Sequence, residues 1–577
     1  MTTITRPLAF ALVLVGAVPV QAQLNDEPLG EVCAPTFEAA PLRVLRQLSL
    51  DVRGRIPSVE ENLRMLEAAD PRAELEAMRE EMFASPEFNR TVMEYHRLLL
   101  WSSFDQSLVN LGTGERQLTR NRTTGLWFVN NRKARYRGNN RYICDDVPHT
   151  AFDEAGRPLP MRQPEDPGCT SGGRGGVCDI DGYVMVAPYW DPENPIKVCA
   201  FDANVVLTQP GEAGAACTFS SREATCGCGP DLQFCVPAAF SDDAGRAYYQ
   251  RLQAGFTQEP LRLIERVVSE GRSYLDIFRT PETYVNGATA HYYRYNSEPN
   301  LYQVRTTSQV GYDDRVPDAE LDGIEALDES WHRVERDGVH AGVLTTAAYL
   351  VRFASDRARA NRFYTAFYCD PFVPQSDGIP AEEAEPAANL RERTGCADCH
   401  QELEPAAAHW GRWRNGGSVG YFDDAAMTFD AEPRAECRCG GERGSDDPED
   451  TQGRRCNSLC EAYFVTPASS QGEELETYWG QPLAAAWLED EDVPNVELGP
   501  VALVDTSMEV GRVAECAVRN LAEHLFHRPM DAGDLEWLAE QAAAFDGDGD
   551  ASNTDGVFDW KALFERLVGD ERYLGSR

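Results

Sequence analysis

The chain has 577 residues and 17 cysteines, and the placing of those cysteines constrains its fold more than any other feature. Eight lie between Cys144 and Cys235, and four between Cys437 and Cys460. Both blocks are rich in Gly, Pro and Asp and carry no helical periodicity. Segments with so few apolar residues cannot hold a core unaided, so disulfide-stapled insertions with short strands are the economical reading. Zinc is the weaker alternative, because the one-residue gaps in Cys226-Gly227-Cys228 and Cys437-Arg438-Cys439 fit a structural site poorly. Cys369 and Cys516 stand alone within helical sequence and are left to pair with each other, with Cys33 over. Bridges are therefore expected within each block and between Cys369 and Cys516.

Disulfides need an oxidising compartment. Met1 to Ala22 reads as a secretory signal: Arg6, then an apolar run from Leu8 to Val18 too short to span a bilayer, then Val20-Gln21-Ala22 before a cleavage at Gln23. No other apolar run approaches a membrane span. The net charge of −40 argues against nucleic acid and anionic membranes as partners. It suits solubility, or docking to a basic protein.

Between the blocks the sequence is helical. Leu42, Leu45, Leu48 and Val52 recur at helical spacing. Ser58-Val59-Glu60-Glu61 is a capping box opening a helix through Leu66, and Ser85-Pro86-Glu87 starts another that carries Phe88, Val92, Tyr95, Leu99 and Trp101. Helices are expected over Ala244–Ala254, Pro260–Glu270, Ser273–Phe278, Pro281–Ala288 and Gly342–Tyr368, then over Val513–His527, Ala532–Phe545 and Trp560–Val568.

The remaining cysteines belong to Cys396-Ala397-Asp398-Cys399-His400. Two thiols at this spacing, followed at once by histidine, form the attachment signal for c-type haem. The thiols add across the two vinyl groups of one porphyrin and the histidine reaches the iron. A bare CxxC would read as zinc or as a redox dithiol; the histidine and the export signal favour haem. Cys396 and Cys399 are then the thioether anchors and His400 the proximal ligand. Trp410 and Trp413 either pack against the porphyrin or fill the core. Arg412 and Arg414 either pair with a propionate or carry surface charge.

Several stretches taken together resemble the multidomain proteins of the planctomycete-type cytochrome c family. These are Arg46 to Pro57 with Ser85-Pro86-Glu87-Phe88, Thr283-Tyr284-Val285-Asn286, Gly342-Val343-Leu344-Thr345, and Cys396 to His400 followed by Glu404-Pro405 and Gly411-Arg412-Trp413-Arg414. The likeness skips both Cys-rich insertions. Glu404 stands where the family has Asp, and Ala406-Ala407-Ala408-His409 replaces its Gly-Phe. The resemblance implies a haem-binding, largely helical exported protein and no established reaction.

A sixth iron ligand would separate an electron carrier from a catalyst. Small c-type cytochromes place a methionine on a loop shortly before the final helix of the haem domain. Met508 stands there, Met427 is the runner-up and Met530 is third. His524 and His527 are alternative ligands or helix-end histidines, and His96 and His409 carry no signal of their own. Asp546-Gly547-Asp548-Gly549-Asp550 resembles the start of a calcium loop, but the twelfth position falls on Val557. Asp555 or Asp559 would have to substitute; the plain alternative is a solvated acidic turn.

The expected architecture is mainly α. It has a signal at 1–22, a helical domain at 23–120, a Cys-rich insertion at 121–240, and a central helical domain at 241–380. A cytochrome c-like haem domain follows at 381–577, with a second insertion at 431–461. The expected cofactor is one covalent haem c, with calcium at Asp546, Asp548 and Asp550 as a candidate beside the acidic-turn reading. The expected role is one-electron transfer with a redox partner protein, in the periplasm or at the cell surface. A haem-dependent oxidoreductase and a surface-binding protein that carries haem are the alternatives.

Overall fold

The computed structural model describes residues 41–103, 117–129, 143–159, 161–162, 179–205, 227–238, 242–295, 316–337, 339–372, 389–413, 439–440, 455–456, 496, 498–547 and 558–575. The signal segment, Cys33, Met427, Arg414, Asp548, Asp550 and Asp555 lie outside them, as does most of the second Cys-rich insertion. The described chain is mainly helical, with short strands and three disulfides. Among the described residues no helix is long and apolar enough to cross a membrane.

Four helices open it: α1 (Pro41–Arg53), α2 (Val59–Glu67), α3 (Pro71–Phe83) and α4 (Pro86–Leu100). The capping box is formed: Ser58 Oγ accepts from the Glu61 N–H, and the Glu61 carboxylate accepts from the Ser58 N–H at 2.6 Å. Phe88, Val92 and Tyr95 of α4 are buried as their spacing requires. Trp101 is not on that face: it ends α4 in the left-handed conformation with its ring exposed.

Helix α5 (Asp243–Ser269) is one 27-residue helix where two were expected, with Pro260 inside it. An interior proline costs about 3 kcal/mol, and burial on both sides of it offsets that. Leu252 and Phe256 enter one apolar core, while Leu261, Ile264 and Val267 enter another. The larger core also takes Leu48 of α1, Phe88 of α4 and Trp410, together with Leu521 and Leu563 from the C-terminal helices. It thus runs across the segments expected as separate helical domains.

The Cys144–Cys235 block contributes the two strands β5 and β6 to a five-stranded sheet of order β5-β6-β2-β1-β7, and the chain on either side of it contributes the other three. Its strands are β1 (Gln117–Arg120), β2 (Trp127–Val129), β5 (Tyr183–Val186), β6 (Ile196–Cys199) and β7 (Val236–Pro237). The two-stranded pair β3 (Met161–Arg162) and β4 (Asp179–Ile180) lies within the block. Trp127, Trp190 and Val198 pack on Tyr248 and Phe256 of α5. Cys144–Cys199 and Cys228–Cys235 close inside the block, as expected. In the second insertion β10 (Cys439–Gly440) and β11 (Arg455–Cys456) set Cys439 opposite Cys456 in register.

Three helical expectations fail. Pro281–Ala288 contains strand β8 (Glu282–Val285), paired antiparallel with β9 (His332–Glu335). Its β-branched and aromatic residues are buried on both faces, and that burial decides the conformation. Asn286 then caps helix α7 (Gly287–Tyr295), accepting from the Thr289 N–H at 3.1 Å. Ser273–Phe278 also yields only a short helix, α6 (Asp276–Arg279).

Gly342–Tyr368 is likewise not one helix. It comprises a tight turn over Gly342–Thr345, α8 (Ala347–Arg352), and α9 (Asp356–Phe363) with a wider turn continuing to Tyr368. Gly342 has a positive φ, and a Cβ there would lie 1.8 Å from the Ile277 carbonyl oxygen.

After the motif helix come α11 (Pro500–Glu509), α12 (Arg512–Phe526), α13 (Leu535–Asp546), α14 (Trp560–Val568) and α15 (Glu571–Gly575). Cys369, at the end of the α9 turn, is bridged to Cys516 of α12 across 147 residues, as expected. Closing a loop of that length stabilises the fold by roughly 3–5 kcal/mol in the chain-entropy model. The double variant Cys369→Ser, Cys516→Ser should lose that amount in denaturant unfolding. A loss below about 1 kcal/mol would show that the bridge does not restrain the unfolded chain.

Two buried histidines make the fold acid-sensitive. His96 of α4 packs on Trp560 of α14, its Nδ1 on the Val92 carbonyl at 2.7 Å and its Nε2 on the Tyr274 hydroxyl at 2.9 Å. Desolvation lowers its pKa to about 4. His291 stacks on Tyr189 at 3.7 Å, and desolvation lowers its pKa to about 3. Both are neutral when folded, while the unfolded chain protonates them near 6.5. Stability is therefore full above pH 6.5 and falls as pH drops toward 4, by about 3 kcal/mol from His96. Urea unfolding at pH 7 and pH 5 should show this loss, and His96→Gln should shrink it. An unchanged difference in the variant would assign the loss to other groups.

Candidate functional site

The motif opens helix α10 (Ala397–Ala408). Gly395, at φ +77°, turns the chain into it, and the Cys396 carbonyl accepts from the His400 N–H at 3.0 Å. Residues three and four apart share a helix face, so Cys396, Cys399 and His400 stand together at the first turn. Both thiols are half-buried and unbridged. Of the eight cysteines whose side chains are described, the other six are all in disulfides.

His400 is held from its own helix. Its Nδ1 hydrogen-bonds the carboxylate of Glu404, one turn on. Glu404 is buried, and Arg357 of α9 meets it with Nε at 2.8 Å and Nη2 at 3.2 Å. With Nδ1 engaged, Nε2 is the ring atom left for a metal. Among the described residues no three His, Cys, Asp or Glu side chains are gathered to hold a bare ion. A porphyrin-held iron asks for only one such ligand, and two free thiols beside an oriented imidazole fit that group.

The far end of α10 is locked to the core. Ala406, Ala407 and Ala408 are buried, and α10 packs against α9. The Trp410 indole donates to the Leu344 carbonyl at 3.2 Å, its ring stacked on Tyr349. His409 Nδ1 bonds the Gly499 carbonyl at 3.0 Å. Gly499 has φ +73°, and a Cβ there would sit 3.3 Å from the Trp413 ring. The Trp413 carbonyl accepts from Arg359 Nη1 at 3.1 Å. Both tryptophans are thus enclosed by protein, at the opposite end of the helix from the thiols. Arg412 is half-buried beside them in the chain.

The other sequence candidates are dispersed. Met508 does not stand on a loop: it lies in the last turn of α11, packed against the core. Met530 is buried, its N–H donating to Glu523. His524 packs edge-on against Tyr95, and burial lowers its pKa. His527 ends α12 in the left-handed conformation, 3.7 Å from Asp51. Asp546 closes α13, and burial raises its pKa. Asp559, a substitute for the missing calcium ligand, instead caps α14, accepting from the Ala562 N–H at 3.0 Å.

Sequence reading missed Glu404 as a partner, although its spacing of four from His400 was available as a signal. Arg357 and Arg359 carried none. Comparison with protein-family models, with curated proteins and with solved structures finds no match.

Arg359 is fully buried and holds the segment after α10 in place. Hydrogen bonds to a charged group contribute about 1.5–3 kcal/mol each. Arg359→Met, close in volume, should therefore destabilise the fold by about 3 kcal/mol and raise amide exchange at Trp410 and Trp413. Unchanged exchange at those two residues would show that α10 is positioned without it.

Proposed function

We propose that this protein is an exported mono-haem c-type cytochrome, with Cys396 and Cys399 as thioether anchors and His400 as proximal ligand. One observation carries the reading: two unbridged thiols share a helix turn with an imidazole whose Nδ1 is already engaged. The three disulfides elsewhere support an oxidising compartment, in which covalent haem attachment takes place. When bound, the haem supplies a one-electron couple. Glu404 fixes the ring of His400, and Arg357 of α9 ties that carboxylate to the neighbouring helix. One-electron exchange with a redox partner protein is the role that follows.

The position of Met508 favours a second reading, a haem-dependent oxidoreductase with an open axial position. The residue first in line for the sixth ligand has its side chain on the core of α11.

Protein matured in the periplasm should keep its haem through denaturation and give a c-type pyridine haemochrome spectrum. Haem that extracts into acid-acetone would overturn the proposal. Carbon monoxide binding by the native reduced protein would select the oxidoreductase, and a spectrum indifferent to carbon monoxide the carrier.

A further inference from the structure

The partners of His400 are more than a structural tie. Its Nδ1 bonds a carboxylate, not a backbone carbonyl. That carboxylate is buried, so its charge acts on the ring with little screening by water. A carboxylate on one imidazole nitrogen draws the proton toward itself and makes the other nitrogen a stronger donor. Stronger donation from Nε2 favours the ferric over the ferrous state of an iron held there.

Arg357 works in the opposite sense. Its guanidinium lies on the same carboxylate, with Nε 2.8 Å from the oxygen that His400 uses and Nη2 3.2 Å from the other. It offsets part of the negative charge that Glu404 presents to the ring. The arrangement crosses two packed helices: Arg357 stands on α9, Glu404 and His400 on α10.

We propose that Glu404 is a positioning residue that lowers the reduction potential of a haem on His400, and that Arg357 sets how far. This rests on the haem reading above. It assigns to one carboxylate on this helix a control over the redox poise of the site.

The test is a redox titration of the matured protein followed by its haem absorption, with covalent haem first verified in each variant. Glu404→Gln keeps the shape and removes the charge, so the potential should rise. A tenfold change in the ferric–ferrous equilibrium corresponds to about 59 mV for a one-electron couple, and a rise of that order is expected. Glu404→Asp should recover part of it. Arg357→Gln leaves Glu404 in place and should move the potential the other way. That variant keeps the test decisive where Glu404→Gln does not fold. Simple loosening of the helix contact would shift both variants in the same direction, so equal signs overturn the proposal, as does a Glu404→Gln potential equal to the parent's. A parent protein without covalent haem would instead overturn the functional reading.

Discussion

A single buried guanidinium, that of Arg359, joins the pieces on which the motif helix rests. It donates to the Phe353 carbonyl at 2.9 Å, to Leu350 at 3.1 Å and to Trp413 at 3.1 Å. The first two carbonyls lie at the end of α8, which has no helical partners for them. The third lies beyond α10. The Arg359 carbonyl in turn accepts from the Tyr349 hydroxyl at 2.7 Å. A charge this deep is costly unless its donors are met, so the break between α8 and α9 and the path after α10 are mutually dependent.

The candidate site sits at the other end of the same helix pair. Arg359 and Arg357 are two residues apart on α9, one directed into the core and one toward the Glu404 carboxylate. One helix thus reaches both ends of α10, the tryptophan end by a hydrogen bond to the Trp413 carbonyl and the histidine end by an ion pair. The alanines between them are buried. The geometry at His400 therefore depends on α9 as much as on the motif itself.

Local features were legible in the sequence where their physics is local. The capping box of α2, the proline start of α4 and the helix Trp560–Val568 depend on neighbours in the chain. So does the shared face of Cys396, Cys399 and His400, a consequence of helical spacing alone. The Cys369–Cys516 bridge was reachable by elimination, because all other cysteines except Cys33 fall in the two even blocks or in the Cys396–His400 motif. Reading failed where a distant segment decides. Glu282–Val285 became a strand because β9 was there to pair with it. Pro260 did not end α5 because two cores held the helix on either side. Met508 left its expected loop because its face of α11 found the core.

The sequence by itself determined the chemistry offered: two thiols and an imidazole at fixed spacing, with acidic and cysteine-rich segments between helices. Spacing along a helix is a property of the backbone, and no tertiary contact alters it. Only the tertiary structure decided which atoms surround that chemistry. Which arginine balances Glu404 depends on α9 packing against α10, and the burial of Trp410 and Trp413 depends on Leu344, Tyr349 and Arg359. Those contacts bring together residues tens of positions apart, so no periodicity in the sequence encodes them.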